Sequence, residues 1–232
     1  MRCGREPVYL VATVKRWNLN QFERRSSAVA GRWLLITDPI ALDVALVHAL
    51  RPRYIFFPHW SWAVPGDVLS AAECICFHMT DVPYGRGGSP LQNLIARGHN
   101  ETKLSALRMV PELDAGPVYM KRDLSLEGSA DEIFERCSRL TFDMIEDVVA
   151  SQPEPVPQAG ETVIFPRRSP RESRLPRAGS SQAIYNHVRM LDAEGYPHAF
   201  LDYGDFRLEF RDARFDGEKV EARATFRKAG NS

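Results

Sequence analysis

The chain has 232 residues, with 30 Lys plus Arg against 30 Asp plus Glu and a formal net charge of +0. At 44% hydrophobic and 26% charged residues it has an ordinary globular composition, which excludes a disordered or fibrous chain. Zero net charge gives no support for a basic nucleic-acid surface, and no apolar run approaches the ~20 residues that span a bilayer, so neither a nucleic-acid nor a membrane partner is expected.

The opening segment MRCGREPVYL places Arg2, Arg5 and Glu6 where a secretory signal has its apolar core, so a cytoplasmic protein is expected. VYLVATV (8–14), WLLIT (33–37) and YIFF (54–57) read as buried strands. Between the last two, Ile40, Val44, Leu46, Val47 and Leu50 of PIALDVALVHAL recur at helical spacing. ECICF (73–77) reads as a fourth strand, followed by a helix that enters at Ser89-Pro90 and ends at Gly98. KLSALRMV (103–110) and VYMKRDL (118–124) are further strands. Ser129 with Glu132 forms a capping box for a helix over 129–152, with the stripe Ile133, Phe134, Cys137, Leu140, Met144, Ile145 and Val148. Strands alternating with helices predict an α/β fold, a mostly parallel, doubly wound sheet.

Composition then changes. Residues 153–178 are rich in proline and arginine and read as a linker. Beyond it, SSQAIYNHVRML (180–191) reads as a helix, and HAFLDYGDFRLEF (198–210) with KVEARATF (219–226) as an antiparallel ribbon. The expected organisation is a catalytic domain over 1–152, the linker, and a small C-terminal helix plus β-ribbon over 179–232. The ribbon offers a sheet edge on which a homodimer can form. The cysteines Cys3, Cys74, Cys76 and Cys137 form no CxxC pair and read as free thiols, and no Cys/His cluster suggests a metal.

Chemistry concentrates in residues 74–120. His78 directly follows a buried strand. The loop from Met79 to Gly88 carries Pro83, Gly85, Gly87 and Gly88, a composition that lets backbone approach a ligand. Asp114 lies in PELDAGP, between two strands. If those strands neighbour the His78 strand, the two side chains converge, and a carboxylate beside a histidine orients it for acid–base work.

The segments FHMTDVPYGRGGSPLQ and PELDAGP resemble the folate-dependent formyltransferase family, over about residues 30–150. That family includes methionyl-tRNA, glycinamide ribonucleotide and sugar N-formyltransferases, and the resemblance implies its Rossmann-type fold. His78 matches the catalytic histidine; Arg86, Gly87 and Pro90 match the Arg-Gly-x-x-Pro loop; Asp114 and Gly116 match the catalytic Asp loop. The family's catalytic asparagine falls at Cys76, so Cys76 occupies a catalytic position with a weaker donor. Thr80, Ser105, His59 or a glycine-loop N–H are the candidates to replace the amide. The resemblance implies N10-formyltetrahydrofolate as co-substrate and no metal. Trp60, Trp62, Val64, Arg86, Gly88, Met109, Glu112 and Leu113 are the co-substrate-binding candidates; the tryptophans also read as packing residues.

For the acceptor, a short and neutral chain argues against tRNA, and the segment ATVKRWN lacks the glycine-rich phosphate loop of the glycinamide ribonucleotide enzymes. HVRMLDAEGYPHAFLDYGDFRLEF resembles the segment that follows the catalytic domain in sugar N-formyltransferases. The expectation is therefore an amino sugar on a nucleotide carrier, serving surface polysaccharide synthesis. The alternatives are another small amine such as glycinamide ribonucleotide, or a folate- or nucleotide-binding protein whose catalysis has decayed.

Overall fold

The computed structural model describes residues 6–228. Residues 1–5, which hold Arg2, Cys3 and Arg5, and residues 229–232 lie outside the described residues. In chain order the elements are β1 (Val8–Ala12), α1 (Arg16–Arg25), β2 (Arg32–Ile36), α2 (Val44–Leu50), β3 (Tyr54–Phe57), α3 (Gly66–Ala71), β4 (Cys74–His78), β5 (Tyr84–Gly87), α4 (Pro90–Ala96), β6 (Glu101–Arg108) and β7 (Val118–Ser125). There follow α5 (Ala130–Ser151), β8 (Val163–Phe165), α6 (Ser181–Arg189), β9 (Ala199–Tyr203), β10 (Phe206–Phe215) and β11 (Val220–Lys228). The fold is α/β: a six-stranded sheet ordered β2-β1-β3-β4-β6-β7, a three-stranded sheet ordered β11-β10-β9, and a pair β5-β8.

The large sheet is parallel from β2 through β4. β6 runs antiparallel to β4, with Ile75 opposite Arg108 and His78 opposite Ser105. β1, β3 and most of β4 are buried, as strands covered on both faces require. One apolar cluster joins Val8, Leu10, Ala12, Ile36, Val47, Ile55, Phe57 and Cys74.

The helix expected over 39–50 divides in two. Asp38 caps a 3₁₀ turn through the Ile40 amide, and Asp43 caps α2 through the Leu46 amide at 2.7 Å. Ile40 is thereby exposed rather than buried. The capping box of α5 forms, with the Glu132 carboxylate accepting from the Ser129 amide at 2.8 Å and the Ser129 hydroxyl accepting from the Glu132 amide at 3.3 Å.

The described chain divides into two compact units. The first comprises residues up to 86 with 103–124 and 135–164, and holds most of the six-stranded sheet. The second comprises 87–102, 125–134 and 165 onward. Its helices α4 and α6 meet, and Gln92 donates to the Met190 carbonyl at 3.1 Å. Arg189 of α6 is buried and donates to the carbonyls of Leu126 and Gly128. Those bonds satisfy two groups that would otherwise be orphaned in the interior.

Candidate active site

His78 is the last residue of β4 and is buried. Its Nε2 lies 2.8 Å from the Gly85 carbonyl. A carbonyl only accepts, so Nε2 carries hydrogen. Its Nδ1 faces the Asp114 carboxylate at 3.4 Å, and both side chains are about nine-tenths covered. With Nε2–H committed to Gly85, any proton that His78 exchanges sits between Nδ1 and Asp114.

The antiparallel β6 explains how Asp114 arrives. Arg108 leaves the sheet beside Ile75, at the far end of β4 from His78. The loop over 109–117 doubles back, closed by the Arg108 amide donating to the Pro117 carbonyl at 2.9 Å. Asp114 takes a left-handed conformation at φ +53°. Aspartate is among the few non-glycine residues that visit this region. Gly116 sits so close beneath that an added Cβ would lie 1.7 Å from the Arg108 carbonyl.

Cys76 shares with His78 one face of β4. Burial, reinforced by the charge of Asp114, pushes its thiol well above the ordinary range. It is a neutral thiol at physiological pH. Two of the replacements considered for the missing amide already give their hydrogens away. Thr80 donates to the Gly85 carbonyl at 3.3 Å, and Ser105 donates to the Thr80 carbonyl at 2.7 Å. His59 packs against Trp17, with ring centroids 5.5 Å apart; burial and then the nearby Lys15 lower its pKa to about 3, which keeps it neutral.

Phe57 pairs with Cys76 in register, so the loop after β3 leaves the sheet at the His78 end. Trp60, Val64, Cys76 and Met109 pack on the same apolar cluster. Trp60 meets Phe57 edge-on at 6.1 Å and Trp62 at 4.8 Å, and Trp62 is 45% exposed. The Trp60 indole Nε1 is buried with no hydrogen-bond partner. Leu113 and Glu112 stand exposed at the loop tip. Gly88 belongs to the second unit, where its amide donates to the Phe165 carbonyl. A cavity of about 720 Å³ opens elsewhere, at the amino-terminal ends of β1, β3 and β4. Val8, Arg51, Arg53, Cys74, Arg108 and Met109 line it, and neither His78 nor Asp114 does.

Sequence reading missed one participant. Gln158, in the stretch read as linker, accepts from Arg86 Nε at 3.0 Å and from Arg86 Nη2 at 2.8 Å. Its Nε2 donates to the carbonyls of Asp114 at 2.8 Å and Gly116 at 2.7 Å. Arg86 also faces Glu112 at 3.7 Å. Nothing local marks a glutamine among prolines, since all its partners are distant in sequence. Among the described residues no group of three or more His, Cys, Asp or Glu could hold a metal ion, and no helix is long and apolar enough to cross a membrane.

A family model described as "Methionyl-tRNA formyltransferase, C-terminal domain" matches residues 170–227. A solved methionyl-tRNA formyltransferase from Clostridium thermocellum is 40% identical, with a TM-score of 0.91, over 96% of this chain and 99% of that one. A methionyl-tRNA formyltransferase from Mesoplasma florum is 27% identical over 201 residues, 82% of this chain and 64% of the relative. The chain thus spans under two thirds of that relative's length. A sugar N-formyltransferase from Shewanella shares the fold, with a TM-score of 0.69 at 14% identity over 88% of this chain and 96% of that one.

These matches correct two expectations: the amino-sugar acceptor serving polysaccharide synthesis, and the exclusion of a nucleic-acid partner. Neutral charge and shortness carried the case against tRNA, and the likeness of the C-terminal segment to sugar enzymes carried the sugar acceptor. The Clostridium protein is matched over 99% of its length, so a chain of similar size bears the methionyl-tRNA name. The helix and hairpin that resembled sugar enzymes fall inside the 170–227 match.

Proposed function

The chain belongs to the formyltransferase family, and we propose that it transfers the formyl group of N10-formyltetrahydrofolate to the amino group of methionyl-tRNA. The 40% identity over nearly the whole of both chains carries this reading. The buried His78–Asp114 pair supports it, because acyl transfer to an amine needs a proton carrier beside the reacting carbon.

The residues fit a flat heterocyclic donor. Trp60, Trp62 and Val64, on the loop that leaves β3 at the His78 end, offer an aromatic and apolar wall, and the unpartnered Trp60 N–H awaits an acceptor. Such a donor supplies the formyl carbon. The acceptor nitrogen bonds to that carbon, the carbon's bond to the donor nitrogen breaks, and one proton passes from the first nitrogen to the second. Asp114 takes the proton leaving the acceptor amine. His78, pinned on Gly85, holds the Asp114 carboxylate in place as it takes that proton.

The test is formyl transfer to charged methionyl-tRNA, read as formylmethionine by mass, with His78→Ala and Asp114→Asn alongside. The expected result is product from the wild type and a kcat lower by about 10²–10⁴-fold in each variant. A wild type that binds the donor and leaves methionyl-tRNA unformylated would overturn the acceptor; variants as active as wild type would overturn the site.

A further inference from the structure

We propose that Gln158 is a positioning residue that holds the Asp114 loop in its working conformation; the role rests on the formyl-transfer reading above. Asp114 is gripped at both ends. Its carboxylate faces His78, and its carbonyl accepts from Gln158. The same amide nitrogen holds Gly116 two residues on, and the amide oxygen takes a two-pronged donation from Arg86.

Only a primary amide fits these four bonds. The partners on one side are two carbonyls, which need two donors; the partner on the other is a guanidinium, which needs an acceptor. Glutamate would present oxygen to the carbonyls, and lysine would present a cation to Arg86. The backbone keeps the side chain in place. Val156 exchanges both backbone bonds with Val118, at 2.8 and 2.9 Å, and the Val163 amide donates to the Pro83 carbonyl at 3.3 Å. Gln158 thus sits on a strap pinned on either side of it. A left-handed aspartate is strained and persists only where its surroundings impose it. The Gln158 amide is one such constraint.

The experiment uses Gln158→Glu, close in shape, and Gln158→Ala, each in the wild-type and the Asp114→Asn backgrounds. In the wild-type background kcat is expected to fall more than tenfold, with KM for methionyl-tRNA within threefold. In the Asp114→Asn background, the same changes are expected to alter kcat less than twofold, because the residue acts through Asp114. Equal losses in both backgrounds, or no loss in either, would overturn the proposal. Amide hydrogen exchange provides the arm that needs no substrate. Faster exchange confined to 109–117 in Gln158→Glu supports the proposal, and unchanged exchange there overturns it, even if the wild type fails to formylate methionyl-tRNA. Should Gln158→Ala unfold, Gln158→Glu decides alone.

Discussion

Cys76 stands where the resemblance places the family's asparagine amide, and the two groups differ as donors. An amide N–H aimed at a developing oxyanion is worth about 10²–10³ in rate, while a thiol donates weakly. Burial and the neighbouring Asp114 charge favour the protonated thiol, which argues against a nucleophilic role. Cys76→Ala is therefore expected to keep kcat within about threefold of wild type. Iodoacetamide at neutral pH is expected to leave Cys76 unmodified in the folded protein, read by peptide mass. A hundredfold fall in kcat would show instead that the thiol itself holds the oxyanion. Thr80 and Ser105 already give their hydroxyl hydrogens to carbonyls, as His78 gives its Nε2–H to Gly85, which leaves backbone N–H groups to carry that burden.

At the scale of elements, the β6–β7 connection carries the site, and Gly116 is its tightest point. An alanine there would drive its Cβ to 1.7 Å from the Arg108 carbonyl, a backbone atom that cannot swing aside. Gly116→Ala is expected to cost roughly 2–3 kcal/mol in urea unfolding and to lower kcat more than tenfold, because the loop that shifts carries Asp114. Gly66, at the start of α3 with nothing within 4 Å, is the control; Gly66→Ala is expected to be neutral or mildly stabilising. An equal effect at both positions would remove the steric argument.

The elements also show what a linear reading could reach. β3 and α5 were legible because apolar runs and a capping box announce them locally. α1 was not: its buried residues are Trp17, Asn18 and Gln21, so two of the three on its inner face look like surface residues. Asn18 is satisfied there by Thr13 Oγ1 and the Pro58 carbonyl, partners that no spacing rule reveals. His78 and Asp114 were legible as a pair through their resemblance to known motifs. The direction of β6 was not, and it makes Asp114 arrive by a loop folding back. Gln158 escaped because its role lies wholly in long-range hydrogen bonds.

For the whole molecule, electrostatics would set how the polyanionic acceptor proposed above is held. The chain balances 30 basic against 30 acidic residues. Many surface cations are matched locally. In the second unit Arg174 and Arg207 pair with Asp202, Arg223 with Asp212 and Arg227 with Glu209. In the first, Arg25 pairs with Asp143 and Glu146, and Lys121 with Asp81. A paired guanidinium releases few counterions when a phosphate arrives, since it must first give up its carboxylate. Two or three phosphates neutralised, rather than the six to ten of a strongly basic binder, set a shallow salt dependence. Raising salt from about 50 to 200 mM is expected to increase KM for methionyl-tRNA by roughly 10- to 40-fold, against the 10³-fold or more of a basic surface. On the proposed role of the buried pair, kcat is expected to stay within twofold. A thousandfold rise in KM would mean that these ion pairs open on binding and that arginines such as Arg223 and Arg227 turn to the phosphates. Arg227→Glu would then raise KM further at low salt and flatten the slope, whereas with the pairs intact it leaves both nearly unchanged.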